Sequence, residues 1–261
     1  MHALARKRYH KAAPLFLVLA LLALITGLGA VITSQTAEAA TTTSASDVEE
    51  GQKLFAANCA TCHGIDAQGQ DGVAPSLIGV GAAAVDFQVG TGRMPMQASG
   101  PQAPAKDVQF TQDEIAQLAA YVASLGAGPA IPTAEQVDPE LGDAANGMQL
   151  FRTNCAMCHG SVGGGGALTQ GKFAPSLFAT TPTHIYEAML TGPQSMPVFN
   201  NANITSEDKR DIIAYLVAQR DGSPGGLALG AIGPVAEGWA AWFIGIGLII
   251  ASTIWIGARS S

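Results

Sequence analysis

Polar and apolar positions divide the 261-residue chain into stretches of different kinds. Residues 15–32 (LFLVLALLALITGLGAVI) and 239–258 (WAAWFIGIGLIIASTIWIGA) are apolar runs of 18 and 20 residues without a charged side chain. Between them, helical periodicity is confined to short segments, and strand-like alternation is weak throughout. IAQLAAYVASL, from Ile115, follows Thr111-Gln112-Asp113-Glu114, and KRDIIAYLVAQ, from Lys209, follows Thr205-Ser206-Glu207-Asp208. Each pair reads as an amphipathic helix opened by a capping box. A further helix start is expected at Asp47, with Glu50 reaching back to it. Leu54 and Phe55, like Leu150 and Phe151, are placed to point inward. The segments after 64 and 160 are Gly/Pro-rich and read as loop. Residues 126–143 (GAGPAIPTAEQVDPELGD) lack a helical period and read as a stiff spacer, and 221–238 reads as a flexible tether.

The 239–258 run matches the roughly 20 residues that cross a ~30 Å hydrocarbon layer, and Trp239, Trp242 and Trp255 lie toward its ends. The 15–32 run follows Arg6, Lys7, Arg8 and Lys11 and reads as a signal anchor or a signal peptide. Ala37-Glu38-Ala39 offers a cleavage pattern, so removal after Ala39 or Ala40 stays open. Basic residues lie distal to both runs, so residues 41–235 are expected outside the cytoplasm and the C-terminus inside it. A composition of 48% hydrophobic and 13% charged residues agrees with membrane attachment. Residues 41–235 hold 8 Lys and Arg against 18 Asp and Glu, and this acidity excludes a nucleic-acid partner.

The four cysteines fall into Cys59-Ala60-Thr61-Cys62-His63 and Cys155-Ala156-Met157-Cys158-His159. On one helical turn, thiols three residues apart can add to the two vinyl groups of one porphyrin, with the next imidazole beneath the iron. A disulfide or redox pair does not require the histidine, and zinc pairs seldom repeat across so long a gap. Two covalently attached haem c groups are therefore expected. GQKLFAANCATCHG from Gly51 aligns without gaps to GMQLFRTNCAMCHG from Gly147. Ala74-Pro75-Ser76-Leu77 repeats as Ala174-Pro175-Ser176-Leu177, and Thr91-Gly92-Arg93-Met94-Pro95 as Thr191-Gly192-Pro193-Gln194-Ser195-Met196-Pro197. Tyr121 and Tyr215 occupy equivalent places.

A duplicated module follows, each copy of about 80 residues and small enough that a porphyrin must help fill its core. An electron-transfer haem has both axial positions filled, and a Met-Pro turn supplies a soft thioether. Met196 is the candidate in the second module. Met94 or Met96 serves in the first, where alignment selects Met94. Met148, Met157 and Met189 lack a repeated counterpart and read as packing residues. His184 reads as a loop histidine of surface or core.

The CxxCH motif, the downstream Met-Pro and the closing helix resemble the cytochrome c fold. Two such modules between an N-terminal apolar run and a C-terminal spanning helix resemble, over the whole chain, the cytochrome cc subunit of actinobacterial menaquinol–cytochrome c reductase, the bcc complex. The resemblance implies an all-α fold of two tandem class I cytochrome c-type domains. The segments are 1–40 (leader and apolar run), 41–125 (first domain), 126–143 (linker), 144–220 (second domain), 221–238 (tether) and 239–258 (transmembrane helix). It implies Cys59, Cys62, His63 and Met94 for one haem, and Cys155, Cys158, His159 and Met196 for the other. It also implies a cytochrome b subunit, a Rieske iron–sulfur protein and a cytochrome c oxidase as partners, and electron transfer from Rieske protein to oxidase without a soluble carrier or a catalytic site of the chain's own. The alternatives are a cytochrome subunit of a membrane-bound periplasmic dehydrogenase and a di-haem peroxidase-like enzyme. The paired Met-Pro turns argue against the latter, because a peroxidase needs an open iron.

Overall fold

The structure, a computed structural model, describes residues 44–98, 100–222 and 234–259. The leader and the first apolar run lie outside the described residues, as does most of the tether. Helix α1 (Ala45–Asn58) leads through a kink at Cys59 into the single turn α2 (Ala60–His63). Helices α3 (Ala82–Gly90) and α4 (Gln112–Ser124) follow, then the short α5 (Ala134–Val137) and a 3-10 turn at Pro139–Leu141. The second half repeats the order with α6 (Ala144–Asn154), α7 (Ala156–His159), α8 (Pro182–Thr191) and α9 (Ser206–Asp221). Strands β1 (Gly166–Ala167) and β2 (Phe173–Ala174) pair antiparallel. The chain is helix-rich as expected, and this two-stranded hairpin is a small departure from an all-α fold. It arises where the second module has a longer glycine-rich loop after its CxxCH turn, long enough to fold back on itself.

Helix α10 (Pro234–Arg259) contains a stretch, Gly238–Ala258, long and apolar enough to cross a membrane, with mean hydropathy 1.9 and no buried residue. An exposed apolar surface of this length has lipid as its natural solvent.

In each module the first long helix crosses the closing helix at a glycine. A Cβ on Gly51 would lie 2.0 Å from the Gln117 carbonyl oxygen, and one on Gly147 would lie 1.9 Å from that of Asp211. Only glycine lets the two backbones meet. One turn later Phe55 packs on Tyr121 with ring centroids 5.3 Å apart, and Phe151 on Tyr215 at 5.5 Å. All four rings are buried. Leu54 and Leu150 pack against the edges of the same clusters.

The capping boxes of α4 and α9 form as expected: Thr111 Oγ1 accepts the Glu114 N–H, and Thr205 Oγ1 accepts the Asp208 N–H at 3.1 Å. The start of α1 differs. Its cap is Ser44, whose Oγ accepts from the Asp47 N–H (3.1 Å) while Asp47 accepts from the Ser44 N–H (3.0 Å). Ser44 and Asp47 satisfy the same box three residues upstream, which adds a turn of helix, and Glu50 instead pairs with Lys53 (2.9 Å).

Helices α3 and α8 occupy segments read from the sequence as loop. Every residue of α3 is buried or half-buried, so it has no polar face to reveal its period. The linker is also more structured than a plain spacer. Thr133 and Gln136 form a capping box, and Gln136 Nε2 donates to Tyr186 Oη (3.3 Å) and Ser206 Oγ (3.2 Å) of the second module.

Helices α3 and α8 pack on each other and join the modules. Phe87 meets His184 edge to face, with centroids 6.1 Å apart, and His184 Nε2 lies 3.6 Å from Asp86 Oδ2. His184 is thus a helical interface residue, and the loop assignment is corrected. Glu187 is fully buried beside them. Burial, and then the nearby Asp86 carboxylate, push its carboxyl up to about 10. Beyond the helices, Gln102 pairs with the Phe173 backbone, accepting its N–H (2.9 Å) and donating to its carbonyl (2.7 Å), and the Ala103 N–H donates to Gln194 Oε1 (3.1 Å).

Candidate haem sites

Both CxxCH segments fold into the same kinked turn. The Cys59 N–H closes α1 on the Phe55 carbonyl (2.8 Å), and the Cys62 and His63 amides then turn back to the Cys59 carbonyl at 3.1 and 3.0 Å. The second copy repeats these bonds at 2.8, 3.1 and 2.9 Å among Phe151, Cys155, Cys158 and His159. The kink, with φ of −120° at Cys59 and −119° at Cys155, places both thiols and the imidazole on one short turn. None of the four sulfurs is in a disulfide.

Burial, and then the neighbouring Cys62 sulfur, push the Cys59 thiol up to about 11, and Cys155 beside Cys158 behaves alike. Cys59 and Cys155 are thus neutral thiols at neutral pH. They retain the S–H that adds across a vinyl double bond.

Each histidine is held by a proline carbonyl: His63 Nδ1 lies 2.8 Å from the Pro75 oxygen, and His159 Nδ1 lies 3.1 Å from that of Pro175. A carbonyl only accepts, so the proton sits on Nδ1 and the Nε2 lone pair is left for a metal. Burial lowers the His159 pKa, with the Pro175 hydrogen bond opposing it, so the ring is held neutral and ready to ligate. Pro75 and Pro175 belong to the repeated Ala-Pro-Ser-Leu segments, whose recurrence was the sequence signal for a role that spacing did not specify.

Two glycines bring these segments close. Gly69 (φ +80°) and Gly165 (φ +88°) donate their N–H groups to the His63 and His159 carbonyls, both at 2.8 Å. A Cβ would stand 2.5 Å from the Ser76 nitrogen in one module and 2.7 Å from the Ala174 oxygen in the other.

Met94 packs against the first core and Met196 against the second, whereas Met96 is 37% exposed. Met189 is buried in the second core and Met148 packs on it, as expected of packing residues. Met157 is 97% exposed and packs on nothing, a correction that follows from its place on the outer side of the CxxCH turn. A cavity of about 460 Å³ in the second module is lined by Cys158, Ala167, Leu168, Thr169, Lys172 and Ser195. It runs from a motif cysteine to the residue before Met196, and Lys172 Nζ bridges its rim to Ser195 Oγ at 3.1 Å. The thiol pair and the imidazole with its free Nε2 in each module form a donor set that fits a covalently bound haem c.

Residues 48–126 match the family model described as Cytochrome c, and residues 142–216 match that of Cytochrome C oxidase, cbb3-type, subunit III. The cytochrome bc1 complex cytochrome c subunit of Corynebacterium efficiens is 43% identical over 257 residues, covering 90% of this chain and 86% of that protein. The subunit of the same name from Mycobacterium tuberculosis H37Rv is 45% identical over 251 residues, covering 94% and 90%. That of Mycobacterium leprae is 42% identical over 253 residues, covering 94% and 87%. Likeness of this extent, over nine-tenths of the chain or more, makes the chain a member of the actinobacterial cytochrome bc1 complex cytochrome c subunit family.

Proposed function

We propose that this electron-transfer subunit of a respiratory quinol–cytochrome c reductase holds two haem c groups, one in each of the modules 41–125 and 144–220, and relays electrons from a Rieske iron–sulfur protein to a terminal oxidase. Bound haem c supplies a one-electron ferric/ferrous couple. Cys59 and Cys62 tether the first group and Cys155 and Cys158 the second. His63 and His159 ligate through Nε2, each held in orientation by its proline carbonyl. Met94 and Met196 would supply the second protein ligand to each iron, a neutral thioether that favours the ferrous state. The repetition of one motif turn in two modules carries this reading.

The names of the relatives support partners within a bc1 complex, and in this reading a cytochrome b subunit and a Rieske protein are among them. The oxidase of a supercomplex is the electron acceptor in this reading. Helix α10 is the anchor, joined to the second module by tether 221–238, and linker 126–143 connects the two modules. Arg259 lies on the cytoplasmic side and both modules lie outside.

Haem quantitation on the full chain, matured in a host competent for c-type cytochromes, tests this. Two haems per chain are expected, one after Cys155 and Cys158 are both replaced by Ala, and none when Cys59 and Cys62 are replaced as well. Carbon monoxide should bind the ferrous M94A and M196A proteins and leave wild type and M96A unchanged. A haem count unaffected by the cysteine changes would overturn the assignment, and carbon monoxide binding by M96A but not M94A would move the first ligand to Met96.

A further inference from the structure

The module interface holds a cluster that the haem chemistry does not use. Helices α3 and α8 are equivalent in the duplication: each follows an Ala-Pro-Ser-Leu segment and runs into Thr-Gly, at an offset of 100 residues. On that alignment the counterpart of Glu187 is Phe87, 4% exposed. An acid thus stands where the sister module has a buried ring. Glu187 has no exposed surface, and neither of its carboxylate oxygens has a hydrogen-bond partner. A buried carboxylate in that state requires a counter-charge or a proton.

The groups beside it suit a counter-charge. Asp86 from the other module and His184, one helical turn before Glu187, each offer a ligand atom, and the three atoms lie within 4.8 Å of one another. Asp86 Oδ2 and His184 Nε2 are 3.6 Å apart. Gly90 leaves the approach to the histidine open, since a Cβ there would come within 3.0 Å of Nε2. A single proton shared between Glu187 and Asp86 would satisfy one Glu187 oxygen and leave the other buried without a partner. One imidazole nitrogen and two carboxylate oxygens form a ligand set that suits zinc, whose bonds of about 2.0–2.2 Å the side chains reach by closing inward.

We infer that Asp86, His184 and Glu187 form a binding site for one divalent zinc ion that clamps the two haem modules together across α3 and α8. Water completes the coordination. The ion neutralises both acids and ties one module to the other by bonds that neither contributes alone.

Metal analysis of the haem-loaded full chain tests the site, using protein purified in detergent without a polyhistidine tag, exposed to zinc and passed through a desalting column. One zinc per two haem irons is expected. Titration against a chromophoric zinc chelator should show affinity at least tenfold weaker in E187Q and in H184Q, with haem content unchanged. Replacing His2 and His10 in the leader should alter nothing. X-ray absorption of zinc in the wild-type protein should show nitrogen and oxygen donors without sulfur, which keeps the test decisive if a variant folds poorly. Absence of zinc, binding that survives both substitutions, or a sulfur-containing shell would overturn the site. Haem content reads the proposed electron carrier separately, so failure of one assignment is distinguishable from failure of the other.

Discussion

Gly147 shows at the scale of one residue how little room the fold leaves. Its missing Cβ is the space in which α6 meets the α9 backbone, and a methyl group there would stand 1.9 Å from the Asp211 carbonyl oxygen. Backbone atoms inside a helix cannot step aside as a side-chain end can. G147A is therefore expected to lower unfolding stability by about 3 kcal/mol, seen as a reduced denaturant midpoint of the haem-loaded protein. A midpoint within error of wild type would mean that the crossing is not tight. The proline carbonyls beneath His63 and His159 act at the same scale, since each selects the tautomer that presents Nε2. The repeat displayed these prolines, but their partner histidines lie 12 and 16 residues away in sequence, so only folding could reveal the contact.

At the scale of the element, helix starts were the best-resolved feature of the chain, because a capping box is a local hydrogen-bond pattern closed within four residues. Glu114 illustrates its electrostatics. The Thr111 backbone N–H, and then the Thr111 hydroxyl, hold the Glu114 carboxyl below its ordinary 4.5. A carboxyl depressed in the folded state contributes stability above pH 4.5 and loses that contribution as pH falls through the lower folded value. E114Q cannot titrate, so its denaturant midpoint should fall less steeply than that of wild type below pH 4.5 and run parallel to it at neutral pH. Equal slopes across the acid limb would show that the box carries no linkage. Helices α3 and α8 were not foreseen, for the opposite reason. A short helix surrounded by protein has no solvent face, and its apolar pattern is then indistinguishable from that of a buried loop.

At the scale of the whole molecule, the two modules meet through α3 and α8 and through the hydrogen bonds of Gln102 and Gln194 with backbone from the opposite module. Gln102 satisfies both the N–H and the carbonyl of Phe173, as a neighbouring strand would. Q102A should leave the Phe173 amide to open more readily, and its hydrogen exchange should quicken about tenfold, the equivalent of roughly 1.4 kcal/mol for the lost pair. Amides of α1 and α4 should exchange as before. An unchanged Phe173 rate would show that the Gln102 pair does not hold the modules.

The sequence by itself determined what local chemistry encodes: the two CxxCH turns, the duplication, the caps of α4 and α9 and an apolar helix long enough to span a bilayer. Each is legible because it is contained in a few neighbouring residues or in a repeat. Tertiary structure alone decided which carbonyl orients each imidazole, where two glycines let backbones touch, and that a small hairpin interrupts an otherwise helical chain. It also decided that Asp86, far from them along the chain, meets His184 and Glu187 at the module interface. Such groupings depend on how one module packs against the other, and no spacing along the chain records the distance between surfaces that only folding brings together.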